Sequence, residues 1–240
     1  MSEGTPSEAT RDATRDLGRD AVLVELVVAD PPEPWTAAGF TVEADAVRVG
    51  ATTIRLTGRD NPYAKGITEW SIAGLDAGGA EDLEGLPTRF VDRPWTDAGT
   101  EPAHPNGVTG LDHVVVSTPD LERTIEALAE VGLECRRIRE TTSYGSPMRQ
   151  AFFHLGATVL EVVSGDTGSG LPAAEAPAAW FGLAVDVEDL DRTAELLGEG
   201  LGAIKVAVQD GRRIATFRHK ALGMSVAVAA MDDHADRGDR

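Results

Sequence analysis

Two polar residues stand in strongly apolar strand-like runs. His113 follows Asp112 and precedes Val114-Val-Val, and Glu161 sits in Thr158-Val-Leu-Glu-Val-Val. Strand alternation puts His113 on the face of Val115 and Glu161 on the face of Val159 and Val163. A carboxylate on such a face costs free energy by desolvation unless it is ion-paired or bound to a cation. Arg149, Arg213 or Arg218 would serve as a plain partner. Arg149-x-Ala-x-Phe and Arg213-x-Ala-x-Phe recur, placing two guanidiniums at equivalent positions beside aromatics. That pair suits a carboxylate or enolate substrate, or two ion pairs with sheet acids. Tyr144, in the 141–147 loop, is placed to cover a cavity. His154 alternates away from Arg149, Ala151 and Phe153 and reads as exposed, and His104 reads as inert between prolines. Cys135 has no Cys/His/Asn set around it and reads as a structural thiol. No dinucleotide, phosphate-loop, nucleophile-elbow or zinc-protease motif is present.

The elements that must position these residues come as a repeat. Asp112–Thr124 is an apolar strand running into a helix start, and Phe181–Thr193 has the same shape. Asp120, Leu121, Arg123 and Thr124 recur as Asp189, Leu190, Arg192 and Thr193. Each short amphipathic helix ends near a glycine, and strands follow. Leu155-Gly156 matches Leu222-Gly223. The result is two copies of β-α-β-β-β, at 108–165 and 179–231, joined by a linker at 166–178. A third, degenerate copy is expected over 20–75. Its Val47-Arg-Val-Gly-Ala-Thr-Thr resembles Phe153-His-Leu-Gly-Ala-Thr-Val. Residues 76–107, rich in Gly, Asp and Pro, read as a second linker, and 1–19 and 232–240 as flexible tails.

Gly110-Leu-Asp-His-Val-Val-Val, Pro119-Asp-Leu-Glu-Arg-Thr and Leu155-Gly-x-x-Val-Leu-Glu161 together resemble the vicinal oxygen chelate superfamily, the glyoxalase, bleomycin-resistance and extradiol-dioxygenase group. The resemblance implies an α+β fold in which paired β-α-β-β-β modules form an open, curved-sheet barrel around a cavity. It also implies a divalent metal, with His113 matching the first-strand ligand and Glu161 the last-strand ligand. An imidazole and a carboxylate suit Zn, Ni, Mn or Fe(II). In the second copy the matched positions are Gly182 and Val228, which carry no ligand atoms. In the N-terminal copy they are Glu25 and Arg55, so Glu25 completes a site only if that module faces His113.

The functional expectation is a metal-dependent lyase, isomerase or dioxygenase acting on a small oxygenated substrate, with Glu161 also in a catalytic role. Alternatives are a metal-free binding protein of the bleomycin-resistance type, or a degenerate module serving dimer assembly. An unpaired N-terminal sheet points to a homodimer. The chain of 240 residues carries 22 basic and 40 acidic residues, a net charge of −18. That balance repels nucleic acid and anionic membrane. One cysteine and no apolar leader fit a reducing cytoplasm.

Overall fold

A computed structural model describes residues 21–58, 64–75, 79–92, 102–142, 147–165, 172 and 175–233. Tyr144, His234 and most of the 166–178 linker lie outside them. Among the described residues fourteen strands form two sheets.

The C-terminal sheet is built from the repeat. Its first copy is β7 (Val108–Thr118), α2 (Leu121–Glu130), β8 (Arg137–Thr141), β9 (Met148–Leu155) and β10 (Thr158–Ser164). Its second is β11 (Ala179–Val187), α3 (Leu190–Leu197), β12 (Lys205–Val206), β13 (Arg212–Thr216), α4 (His219–Leu222) and β14 (Ala227–Asp233). The strand order is β12-β13-β14-β11-β7-β10-β9-β8, so the two first strands meet antiparallel at the centre. The recurring Asp-Leu-x-Arg-Thr is a helix start: Asp120 accepts from the Arg123 amide, and Asp189 from the Asp191 and Arg192 amides. These caps satisfy amides that have no partner inside the helix.

The N-terminal sheet holds β1 (Val22–Val28), α1 (Pro32–Ala37), β2 (Ala46–Val49), β3 (Thr52–Leu56), β4 (Ile67–Ala73), β5 (Asp82–Leu83) and β6 (Leu86–Val91), in the order β2-β3-β1-β4-β6-β5. Sequence reading ends this module at 75 and makes 76–107 a linker. In the structure β5 and β6 extend the sheet through that segment. β4 is the first strand of a fourth copy that has no helix among its described residues: it pairs β1 antiparallel and β6 parallel, as β11 pairs β7 and β14. Leu83, Leu86 and the Trp70 Nε1 bond to Thr88 fasten this hairpin. The N-terminal copy thus has its partner within the chain, and the unpaired sheet that pointed to a homodimer is not there.

The two sheets share one core. Leu26, Ile54, Trp70 and Ile72 of one belong to the same buried cluster as Val114, Phe153, Leu160 and Val185 of the other. Trp70 meets Trp180 edge-on at 5.1 Å, and Phe40 stacks on Phe217 at 6.1 Å. His104 is a clip between segments, accepting from the Thr41 amide at Nδ1 and lying 2.8 Å from the Arg48 carbonyl at Nε2. β14 runs on to Asp233, two residues into the expected tail. Asp232 is buried there, accepting from the Leu190 amide and holding Arg213.

The antiparallel seams are interrupted at equivalent points. In the β7–β11 seam Ala184 opposes His113 and Val185 opposes Leu111, leaving Asp112 as an extra residue; Phe181 is the extra residue on β11. In the β1–β4 seam the extra residues are Val24 and Thr68. The residue after each bulge is His113, Gly182, Glu25 and Glu69. Two residues further on, the parallel neighbour is Glu161, Ala229, Arg55 and Arg89 respectively. This register makes Ala229, not Val228, the counterpart of Glu161. The Leu-Gly match miscounts because Leu222-Gly223 ends a helix, whereas Leu155-Gly156 opens a tight turn into β10.

Candidate functional site

The bulge at Asp112 turns two consecutive side chains toward one face, which regular alternation forbids. Asp112 Oδ2 lies 2.5 Å from His113 Nδ1. His113 Nε2 then faces Glu161 Oε2 at 3.8 Å, beyond hydrogen-bond reach. The two side chains are 17% and 14% exposed, so the pair sits in a largely desolvated place.

Both carboxylates are held from behind. Asp112 Oδ1 takes Arg212 Nη1 at 2.5 Å, and Arg212 also bonds Asp186. Glu161 accepts from the Gln150 amide nitrogen. The Gln150 oxygen is committed to Arg139, at 2.9 Å from Nε and 2.5 Å from Nη2. Arg139 therefore fixes which way the buried Gln150 amide points. Burial pushes the Asp112 carboxyl upward, but the bonds from His113 and Arg212 outweigh it and hold it below the usual carboxylate range. For Glu161 burial wins over His113, Arg139 and Gln150, and its pKa is raised.

These groups form one wall of a cavity of about 740 Å³. That wall carries Arg137, Arg139, Gln150, Phe152, His113 and Glu161; the other side carries Lys205, Val206, Val208, Ile214, Thr216 and Met231. Arg137 and Arg139 lie over the Phe152 ring, at 5.4 and 5.8 Å from its centre. His154 is exposed, as alternation predicts, and lines the same cavity.

Of the six residues singled out by sequence, the structure brings His113 and Glu161 together. Arg149 lies on the other face of β9, where it pairs Glu122 of α2. Arg213 pairs Asp232 at 2.6 Å and Asp191 of α3 at 2.9 Å. Neither lines the cavity, because the face they share with Ala151, Phe153 and Ala215 is the one the helices cover. Glu25 belongs to the other sheet and pairs Arg55 at 2.5 Å. Tyr144 is outside the described residues. Sequence reasoning missed Asp112, Gln150, Arg212 and the alternating Arg137-x-Arg139; that last pattern was the available signal.

Among the described residues the donor set falls short of what holds a metal. His113 and Glu161 supply two ligands, while the counterpart positions, Gly182 and Ala229, supply none. At Gly182 even a Cβ would lie 2.5 Å from the Ala227 carbonyl. Among the described residues no three His, Cys, Asp or Glu side chains gather as a metal requires. No helix among them is long and apolar enough to cross a membrane.

Comparison with known proteins places the fold. No protein-family model matches the chain, and no curated protein does. Among solved structures, a triply substituted 4-hydroxymandelate synthase from Streptomyces coelicolor matches over 92% of this chain and 94% of its own, with 18% identity and a TM-score of 0.58. Methylmalonyl-CoA epimerase from Mycobacterium tuberculosis matches 53% of this chain and 89% of its own, with 22% identity and a TM-score of 0.42. The first match spans both sheets, so the N-terminal pair of modules is part of the shared architecture.

Proposed function

With a vicinal-oxygen-chelate fold as its frame, we propose that this protein takes a small oxygenated organic molecule into the cavity and exchanges a proton with it, as an isomerase or lyase does. The supporting observation is the Asp112–His113–Glu161 array. Asp112 accepts the Nδ1 proton, which leaves Nε2 as the basic nitrogen. Nε2 points at Glu161 across a gap that one reacting atom bridges within hydrogen-bond reach of both. His113 is the base. Glu161, with its raised pKa, is the acid that returns a proton to the neighbouring oxygen. The apolar side of the cavity covers the rest of the molecule and keeps water from the transfer.

A second reading, binding without chemistry, rests on Gly182 and Ala229, which put no reactive side chain at the second module's counterparts of His113 and Glu161. One experiment separates the two. The protein is incubated in deuterated water with a panel of 2-oxo, 1,3-dicarbonyl and phenolic compounds. Hydrogen loss at carbon and binding are read by NMR for wild type, His113→Ala and Glu161→Gln. Catalysed exchange that His113→Ala abolishes supports proton transfer, whereas exchange that survives in this variant refutes the role of His113. Binding with no exchange selects the second reading. Elemental analysis of the same samples closes the metal question: a stoichiometric divalent ion lost in His113→Ala would overturn the conclusion drawn from the donor set.

A further inference from the structure

Resting on that reading of the cavity, we infer that its ligand is an organic carboxylate, anchored by Arg137 and Arg139 of β8 with Lys205 of β12 across the opening. Charge accounting in the cavity carries the inference. Its two acids are already served: Asp112 by His113 and Arg212, and Glu161 by Gln150. Arg136 has Glu134 at 3.7 Å. Arg137, Arg139 and Lys205 line the same cavity and make no ion pair among the described residues. Three cations that make no ion pair among the described residues, with Glu161 offsetting only Arg139 and only in part, form a local reversal of the field of a chain whose net charge is −18.

The arrangement also fits a carboxylate in shape. Arg137 and Arg139 stand two residues apart on one face of β8, both resting on Phe152. Gln150 holds the Arg139 fork by two of its nitrogens. A planar guanidinium held by an aromatic ring and an amide matches a planar carboxylate better than a freely rotating ammonium does. Ile214, Met231 and Val206 then receive an apolar body, and its functional carbons reach toward His113. Sequence reasoning asked for paired arginines of this kind; the structure supplies them on a different strand.

The test uses two probes of one shape, 2-naphthoate and 2-naphthamide, titrated into the full chain by calorimetry with NMR detection. The expected result is a carboxylate preference of about tenfold or more, shrinking as NaCl is raised. Arg137→Gln and Arg139→Gln should each weaken naphthoate several-fold and leave naphthamide unchanged. Arg149→Gln, outside the cavity, controls for net charge and should change neither; thermal melts confirm that each variant is folded. Equal binding of the two probes, or equal weakening of both by the arginine variants, overturns the carboxylate inference and leaves the cavity reading standing. Naphthoate affinity falling as much in Arg149→Gln as in Arg139→Gln overturns it too. No binding of either probe overturns both.

Discussion

Arg212→Gln is the substitution that probes the support behind His113. The guanidinium is 15% exposed and reaches three carboxylates. Asp112, at 2.5 Å and 17% exposed, is the contact that counts. A charge-assisted hydrogen bond there is worth about 1.5–2 kcal/mol, the lower part of its range because some water remains. Asp186 is 39% exposed and adds roughly 0.5 kcal/mol. Asp233 is 74% exposed, and Arg212 Nε reaches it without hydrogen-bond geometry, so it adds about nothing. The variant should therefore lose about 2–2.5 kcal/mol in urea unfolding at neutral pH, against a total stability of order 5–15 kcal/mol. The pH dependence has a definite sign. The folded-state pKa of Asp112 is lowered, so its stabilisation is present above the unfolded value and lost as pH falls through the folded one. The cost of Arg212→Gln should shrink once pH drops below about 4. A double-mutant cycle with Asp112→Asn should show coupling of about 1 kcal/mol or more. A loss under about 0.5 kcal/mol at neutral pH, or one indifferent to pH, would show that Arg212 behaves as a surface group and does not hold Asp112 behind His113.

Glu161→Gln should stabilise the protein above the raised pKa of Glu161. A folded pKa above the unfolded one gives stability that is lost as pH rises, so the gain over wild type should be larger at pH 8 than at pH 5 in thermal melts. Equal gains at both pH values would contradict the burial-driven shift. Gly182→Ala should cost about 1–3 kcal/mol, because its Cβ would meet the Ala227 carbonyl oxygen at 2.5 Å and the Ala227 Cβ at 3.0 Å. Unfolding of this variant at the wild-type urea midpoint would show that β11 and β14 separate freely.

His113 and Glu161, the candidate pair that the structure brings to 3.8 Å, were legible because a polar residue is conspicuous where its strand is apolar. The supporting arginines were misplaced because β9 carries an aromatic on each face, Phe152 toward the cavity and Phe153 in the core. Alternation says which residues share a face, not which face the helices will cover. Asp112 was passed over because a bulge changes no composition and no spacing within its own strand; it exists only relative to β11. The fourth module was missed because the segment after β4 is rich in glycine and carries no helical pattern in sequence. β4 to β6 keep the pairing of a module but not the amphipathic stretch that marks one in sequence. The repeat itself was plain because its Asp caps and first helical turn recur residue for residue.

The bulges carry a consequence for how this chain tolerates change. Elsewhere in β7 a one-residue insertion or deletion would turn every residue before it to the opposite face, but the bulge holds Asp112 as an extra residue while Leu111 and Val114 on either side stay in the core. A lineage can therefore overwrite the chemistry at such a point without disturbing the core on either side of it. The two halves illustrate it: Phe181-Gly182 has given up the polar pair of Asp112-His113 and still retains the extra residue. In the N-terminal sheet the corresponding positions became Glu25–Arg55 and Glu69–Arg89, charge pairs that stitch neighbouring parallel strands. Each is a socket fixed by the fold, open to new occupants by substitution alone.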